Sequence, residues 1–301
     1  MNNLGEYRVK LQQFSSNQYV QGSKQFLQSN SIVAKFAFLI LILIVFMMLL
    51  GLGSAILTRV FAQSHNPILI DGMINSQQMM IIPQDPSKKG AVPILRSNNQ
   101  REGLEFTWSV WINIADYSYK QNEYKHVFHK GNNNISTGDT GDGRAGINFP
   151  NNSPGVYITP MIVDPSNGNT AGLLIKMNSF GKISEDVTIG DLPLNKWVNI
   201  IIRVTKQNQM DVYINGTLAK RLMLSAVPKQ NYGDVYASLN GGFSGNTSGL
   251  RYFEKALSTS EIQNVVSKGP NTALITGGSM TQNTKEKYLS TRWFLQTAQN
   301  A

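Results

Sequence analysis

Cysteine is absent from all 301 residues. That excludes a disulfide framework, a thiolate metal site and a cysteine nucleophile. It also weighs against a cell-surface receptor matured in an oxidising compartment, although four Asn-x-Ser/Thr sequons, at Asn134, Asn151, Asn215 and Asn246, point weakly the other way. Histidine is scarce, with only His65, His126 and His129. Two residues three apart on a strand fall on opposite faces, so His126 and His129 are expected at the surface or rim and not as a metal pair. No Gly-x-Ser-x-Gly elbow or P-loop occurs, which removes two common signatures of hydrolytic and nucleotide chemistry. A block of basic residues is missing too, despite a formal charge of +9. Residues 101–270 hold a net +2, residues 1–100 a net +5 and residues 271–301 a net +2. Charge placed in the arms suits anionic lipid head groups or an acidic partner, so nucleic acid is not an expected partner. No internal repeat is visible.

What the chain does contain is one long apolar run. Residues 36–57, FAFLILILIVFMMLLGLGSAIL, are 22 residues without a charge. As a helix they cover about 33 Å, enough for a hydrocarbon core of about 30 Å. There is no polar stripe of the kind a core helix shows, and the leader of 35 residues is too long for a signal peptide. Residues 31–60 are therefore expected to be a single-pass helix in a lipid bilayer, with Phe36, Leu41, Val45, Leu50 and Leu57 along the anchor. Arg8, Lys10, Lys24 and Lys35 precede it and only Arg59 follows closely, which puts the N-terminus in the cytoplasm. Gly51 and Ala55 form one small-xxx-small pair, read as ordinary membrane-helix composition. Residues 1–30 read as a polar flexible head. Residues 61–93, punctuated by Pro67, Pro83, Pro86 and Pro93, read as a linker with short extended pieces at 68–70 and 79–82.

Beyond residue 94 the pattern has period two. Phe106, Trp108, Val110, Ile112 and Ile114 share one face of FTWSVWINI, with Trp111 on the other. Val198, Ile200, Ile202 and Val204 alternate against Trp197, Asn199, Arg203 and Thr205, with Ile201 the one departure. Met210, Val212 and Ile214 repeat the theme. Further strands are expected at 126–130, 156–163, 173–177, 218–222, 235–239 and 250–253. Asn215-Gly216 predicts a tight hairpin between Ile214 and Thr217. Ser258-Thr259-Ser260-Glu261 is a capping box ahead of Ile262, Val265 and Val266, with Gly269-Pro270 as the stop; this short helix is expected to close an opening of the fold. Many strands and no βα alternation give a mainly β, antiparallel sandwich over 94–270, with 271–301 as a tail. Tyr288, Trp293, Phe294 and Leu295 make that tail sticky, and it is expected to dock on the sandwich. Trp111 and Trp197 are expected to lie under the linker, while Tyr213, Tyr232 and Tyr236 are not placed by the sequence.

The ordered segments FTWSVWINI, YKHVFHKGN, LNKWVNIIIRVTKQNQMDVYINGTL and LRYFEKALSTSEIQNVV resemble the concanavalin-A-like jelly-roll superfamily, in particular its laminin-G-like branch. The resemblance implies two curved antiparallel sheets. It implies function less firmly, because this sandwich hosts lectins, glycanases, adhesion modules and structural domains. Related β-glucanases carry carboxylates at i, i+2 and i+5 on one strand. No Glu-x-Asp-x-x-Glu occurs here, and the adjacent Glu185 and Asp186 point to opposite faces of a strand. The chain is accordingly expected not to be an enzyme. Laminin-G-like modules that bind calcium use Asp or Asn with backbone carbonyls. By that resemblance Asp139 and Asp142 in GDTGDG, with Asp164 and Asn167 in VDPSNGN, are the calcium candidates, though such clusters usually just make turns. No other cofactor is expected, and the 139–168 loops are the expected contact surface.

The arrangement of head, span and one cysteine-free sandwich is similar to membrane-associated structural proteins of large DNA viruses. That resemblance implies a non-enzymatic module bridging an internal membrane of the virion to a protein partner in its shell. A surface lectin or adhesion protein holding a glycan is the alternative, and an atypical glycan hydrolase using Glu185 or Asp186 the third.

Overall fold

The computed structural model describes residue 25 and residues 31–61, 64–97, 99–139, 141–164 and 168–275. The expected head, the aromatic end of the tail and Asn167 lie outside the described residues. Two compact units divide the chain, residues 1–62 and residues 63–301.

The first unit contains helix α1 (Ile32–Phe61), 30 residues and about 45 Å long. Phe36, Leu41, Val45, Leu50 and Leu57 are all exposed on it. Its length and composition suffice to cross a membrane, a property that signal sequences share.

The second unit is the sandwich. Its strands are β1 (Met73–Asn75), β2 (Met80–Ile82), β3 (Asn99–Gln100), β4 (Gly103–Leu104), β5 (Phe106–Asp116), β6 (Lys125–Gly131), β7 (Gly155–Ile158) and β8 (Ile162–Asp164). There follow β9 (Gly168–Thr170), β10 (Leu173–Met177), β11 (Glu185–Ile189), β12 (Trp197–Thr205), β13 (Gln209–Ile214), β14 (Thr217–Met223), β15 (Asp234–Ala237), β16 (Ser244–Phe253) and helix α2 (Thr259–Ser267). One sheet runs β1-β16-β5-β12-β13-β14 and the other β11-β10-β7-β6-β15-β2, with β3-β4 and β8-β9 as small hairpins. All pairs of these strands are antiparallel.

Alternation builds the core. Phe106, Trp108, Val110, Ile112 and Ile114 meet Val198, Ile200, Ile202 and Val204 on the inner side of the first sheet, facing Phe128, Val156, Ile175 and Val235 from the second. Trp108 spans the layers, 5.5 Å from Phe128 and 5.2 Å from Tyr252 between ring centroids. Residues 61–93, read as a linker, supply their extended pieces to the sandwich itself. Leu69, Ile70, Ile74, Met80 and Ile82 are core residues, β1 edges the first sheet and β2 the second. The expected strand at 156–163 breaks into β7 and β8 at Pro160, which has no N–H for a ladder. Asn215 and Gly216 take φ of 50° and 80°, and Ile214 pairs with Thr217 in the expected hairpin.

Helix α2 does not close an end of the sandwich. It covers the outer face of the first sheet, where Ile262 packs on Ile201, Tyr213, Phe253 and Leu257. Ile201 broke the alternation because this second, smaller core needs an apolar residue on the outer face. The capping box is present, with Ser258 Oγ accepting from the Glu261 N–H and Glu261 accepting from the Ser258 N–H. Ser258→Ala is expected to cost about 1 kcal/mol in a urea titration of the full chain, since it strips an N-cap acceptor.

Candidate functional site

At the end of the sandwich where β5 starts and β6 and β16 finish, the two sheets part around a cavity of about 760 Å³. Phe106, Trp108 and Tyr252 line its inner part, each no more than 2% exposed. Residues 94–96 and the β3-β4 hairpin form one wall; Val227, Gln230 and Tyr232 form another. Lys130, Ser153 and Phe180 complete the lining from the second sheet's side. At the mouth Phe180 is 72% and Tyr232 96% exposed, with the Lys229 ammonium 5.5 Å from the Phe180 ring centroid.

The polar groups here are mostly donors. Arg96 and Arg101 are exposed cations of the lining, opposed by Glu102 alone. The buried Lys130 ammonium donates to the Gly233 carbonyl at 2.5 Å. Burial pulls its pKa down to about 8, with Asp234 acting in the opposite direction. Gln230 Nε2 donates to Ser97 Oγ at 2.7 Å, while Gln230 Oε1 is buried without a hydrogen-bond partner. The Tyr252 hydroxyl, near Ser97 and Gln230, is buried and likewise makes no hydrogen bond of good geometry. Burial raises its pKa, so it stays a protonated donor. A buried polar group without a partner carries an unrecovered desolvation cost, which an incoming ligand can offset.

A second polar cluster lies on the outer face of the second sheet. The segment between β6 and β7 folds over it, packing Ile147 against Tyr157 and Leu174. Asn148 Nδ2 donates to the Asn151 carbonyl and Asn152 Nδ2 to the Asn148 carbonyl, each at 2.7 Å. Tyr157 donates to Asn152 Oδ1 at 2.5 Å. Beneath this cover are His126 and His129, 1% and 0% exposed. The expectation of rim histidines on opposite faces is overturned by a bulge. His126 pairs with Tyr157 but Phe128 with Val156, so β6 holds one extra residue and both imidazoles emerge on the same face.

The hydrogen bonds fix the tautomers. Leu239 N–H donates to His126 Nδ1 at 3.0 Å, leaving His126 Nε2–H to donate to His129 Nδ1 at 2.6 Å. His129 Nε2–H then donates to the Asn132 carbonyl at 2.8 Å. Both rings are neutral in this chain. Burial lowers the His126 pKa well below its ordinary value, helped by His129; burial also takes His129 to about 4, against the Asn132 bond.

Of the calcium candidates the structure describes Asp139, Asp142 and the backbone of Asp164, while Asn167 lies outside the described residues. Asp139 is exposed, and Asp164 ends β8 with its backbone paired to Gly168. Asp142 instead joins a ring of alternating charge with Arg144, Lys176 and Asp186. Lys176 Nζ lies 2.8 Å from both Asp142 and Asp186, Arg144 Nη2 lies 2.6 Å from Asp186, and Arg144 also binds Asp142. Burial pushes the Asp142 and Asp186 pKa values up, but hydrogen bonds from Arg144, Lys176 and, for Asp186, Ser184 outweigh it and leave both lowered. Asp142 is thus already occupied by two cations. Glu185 binds Ser225 through Oγ at 2.7 Å, so the two adjacent carboxylates serve separate networks.

Tyr213 is under α2 with Arg203 stacked 5.2 Å from its centroid, and Tyr236 stacks on His129 at 5.0 Å. Trp111 is buried and Trp197 half-buried. The segment expected to cover them lines the sheet edges and core instead. The cavity itself escaped sequence reasoning, since residues far apart in the chain, from Ile94 to Tyr252, build it; only the two exposed aromatics, Phe180 two residues from Lys182 and Tyr232 three from Lys229, hinted at it.

Comparison with known proteins finds that the model of a family described as the Concanavalin A-like lectin/glucanases superfamily matches residues 87–263, more than half of the chain. No curated protein matches the sequence. Among solved structures, the receptor binding domain of botulinum neurotoxin C/D mosaic serotype is 14% identical, with 55% of this chain and 36% of that one covered and a TM-score of 0.40. The binding domain of botulinum neurotoxin serotype D is 13% identical, with 57% and 40% covered and a TM-score of 0.41. The binding domain of botulinum neurotoxin DC, solved with rat synaptotagmin II, is 15% identical, with 55% and 36% covered and a TM-score of 0.38. The chain thus spans at most 40% of the length of these three structures.

Proposed function

The chain belongs to the Concanavalin A-like lectin/glucanases superfamily, and on that premise we propose a binding module, tethered to a bilayer by α1, that holds a partner without transforming it. The observation carrying this reading is the end cavity, where the Tyr252 hydroxyl and Gln230 Oε1 are buried without a hydrogen bond of good geometry beside the Arg96 and Arg101 guanidinium groups, which no ion pair engages among the described residues. A holding role is also favoured because Glu185 and Asp186 are each engaged in a separate network of the fold. The arrangement of tether and domain suits an assembly protein joining a membrane to a protein shell, as in a virion. Particle fractionation tests that form: the chain is expected to stay with the membrane-bound shell, and free soluble protein contradicts it.

A glycan array run with the full chain separates the alternatives. No oligosaccharide signal is expected. A signal lost on chelation would favour a calcium-dependent lectin over the assembly role. Hydrolysis of a β-glucan that disappears in Glu185→Gln or Asp186→Asn would overturn the non-enzymatic reading altogether.

A further inference from the structure

We propose that the end cavity receives the anionic head group of a phospholipid, docking this end of the sandwich on the membrane that α1 enters. The proposal deepens the tethered-module reading and rests on it.

Three observations meet at the mouth. The first is exposed aromatic surface, Phe180 at 72% and Tyr232 at 96%. A tyrosine favours the interfacial layer of a bilayer, where its apolar ring and polar hydroxyl are both accommodated, and an exposed phenylalanine gains by burial in the apolar part of that layer. The second is charge. Arg96, Arg101 and the buried Lys130 line the cavity, with Lys229 beside Phe180 and Glu102 as the one anion of the lining. Among the described residues no ion pair engages Arg96 or Arg101. A guanidinium pair recognises a phosphate or carboxylate through directed hydrogen bonds, and basic residues near an anionic leaflet are drawn to its surface. The third is the interior. Tyr252, 2% exposed, has an O–H that makes no hydrogen bond of good geometry although Ser97 and Gln230 are close, and Gln230 Oε1 likewise has no well-placed donor. A phosphate oxygen satisfies the first, and the ammonium or hydroxyl of a head group the second.

Reach is available. Phe61 ends α1 and Ile68 is already bridged to Arg251 in the sandwich. The seven intervening steps span at most about 25 Å.

The test uses the full chain in lipid nanodiscs, of phosphatidylcholine alone or with phosphatidylserine as about a quarter of the lipid. Hydrogen exchange is followed at residues 99–104 and 227–232. Amides there are expected to exchange at least fivefold more slowly on the anionic discs, and excess soluble glycerophosphoserine should restore part of the exchange. Arg96→Ala with Arg101→Ala should abolish the difference, and Tyr232→Ser should reduce it. Lys220→Ala, an exposed cation on β14, should leave it intact. Equal exchange on both disc types, in protein that co-elutes with discs, overturns the head-group proposal and spares the tether. Failure to co-elute with either disc overturns both. Protection by inorganic phosphate alone, with no dependence on lipid, also overturns it, because the site would then take a free anion.

Discussion

On acidification from pH 6.5 to 4 the sandwich is expected to lose about 3 kcal/mol of stability through His129 alone, with a further loss in the same direction from His126. In the unfolded chain an imidazole takes up its proton near pH 6.5, whereas the buried His129 resists until about 4. The unfolded state therefore binds more protons throughout that window, and stability falls as pH falls. The geometry explains the resistance. A proton on His126 Nδ1 would face the Leu239 N–H, and one on His129 Nδ1 would face His126 Nε2–H. The neighbouring phenols of Tyr157 and Tyr236 are both held protonated, their pKa values raised by burial, and offer no compensating charge. Carboxylates act in a different window. Asp142, Asp186 and Asp211 have lowered pKa values, so their contribution is complete above about 4 and is lost only as pH falls through the folded value. Urea titrations at half-unit intervals of pH check the window. Replacing both histidines by Gln should lower stability at pH 7 and flatten the slope between 6.5 and 4; an unchanged slope would remove the histidines from the account.

Trp108→Ala is expected to destabilise the full chain by about 3–5 kcal/mol, the range for deleting a large buried aromatic. The ring is 1% exposed and touches Phe128 on the opposite sheet and Tyr252 on its own. Its removal takes away contacts across both layers and also enlarges the end cavity. Trp197→Ala, at a half-buried position, should cost distinctly less. Comparable losses in the two variants would contradict the placement of β5 at the centre of the core.

The sandwich was legible where alternation was strong. FTWSVWINI and KWVNIIIRVT carry their own face assignment, and Asn215-Gly216 and Ser258-x-x-Glu261 carry local turn and cap chemistry. The edge strands β1 and β2 were less legible, because three-residue pieces among prolines acquire their role only by pairing with β16 and β15. The histidine pair was misread for one reason: the extra residue in β6 shifts parity, and nothing in YKHVFHKGN marks a bulge. Asp142 looked like a turn residue because its cationic partner Lys176 is on a distant strand. The end cavity draws on residues between 94 and 108 together with 130, 153, 180, 207, 252 and the 227–232 segment, whose convergence is a property of topology alone.

Extraction of native membranes with alkaline carbonate tests the central claim most directly, since it releases peripheral proteins and leaves lipid-spanning helices in place. The chain is predicted to remain in the pellet and to come free only with detergent. Quantitative release into the carbonate supernatant would contradict a tethered module.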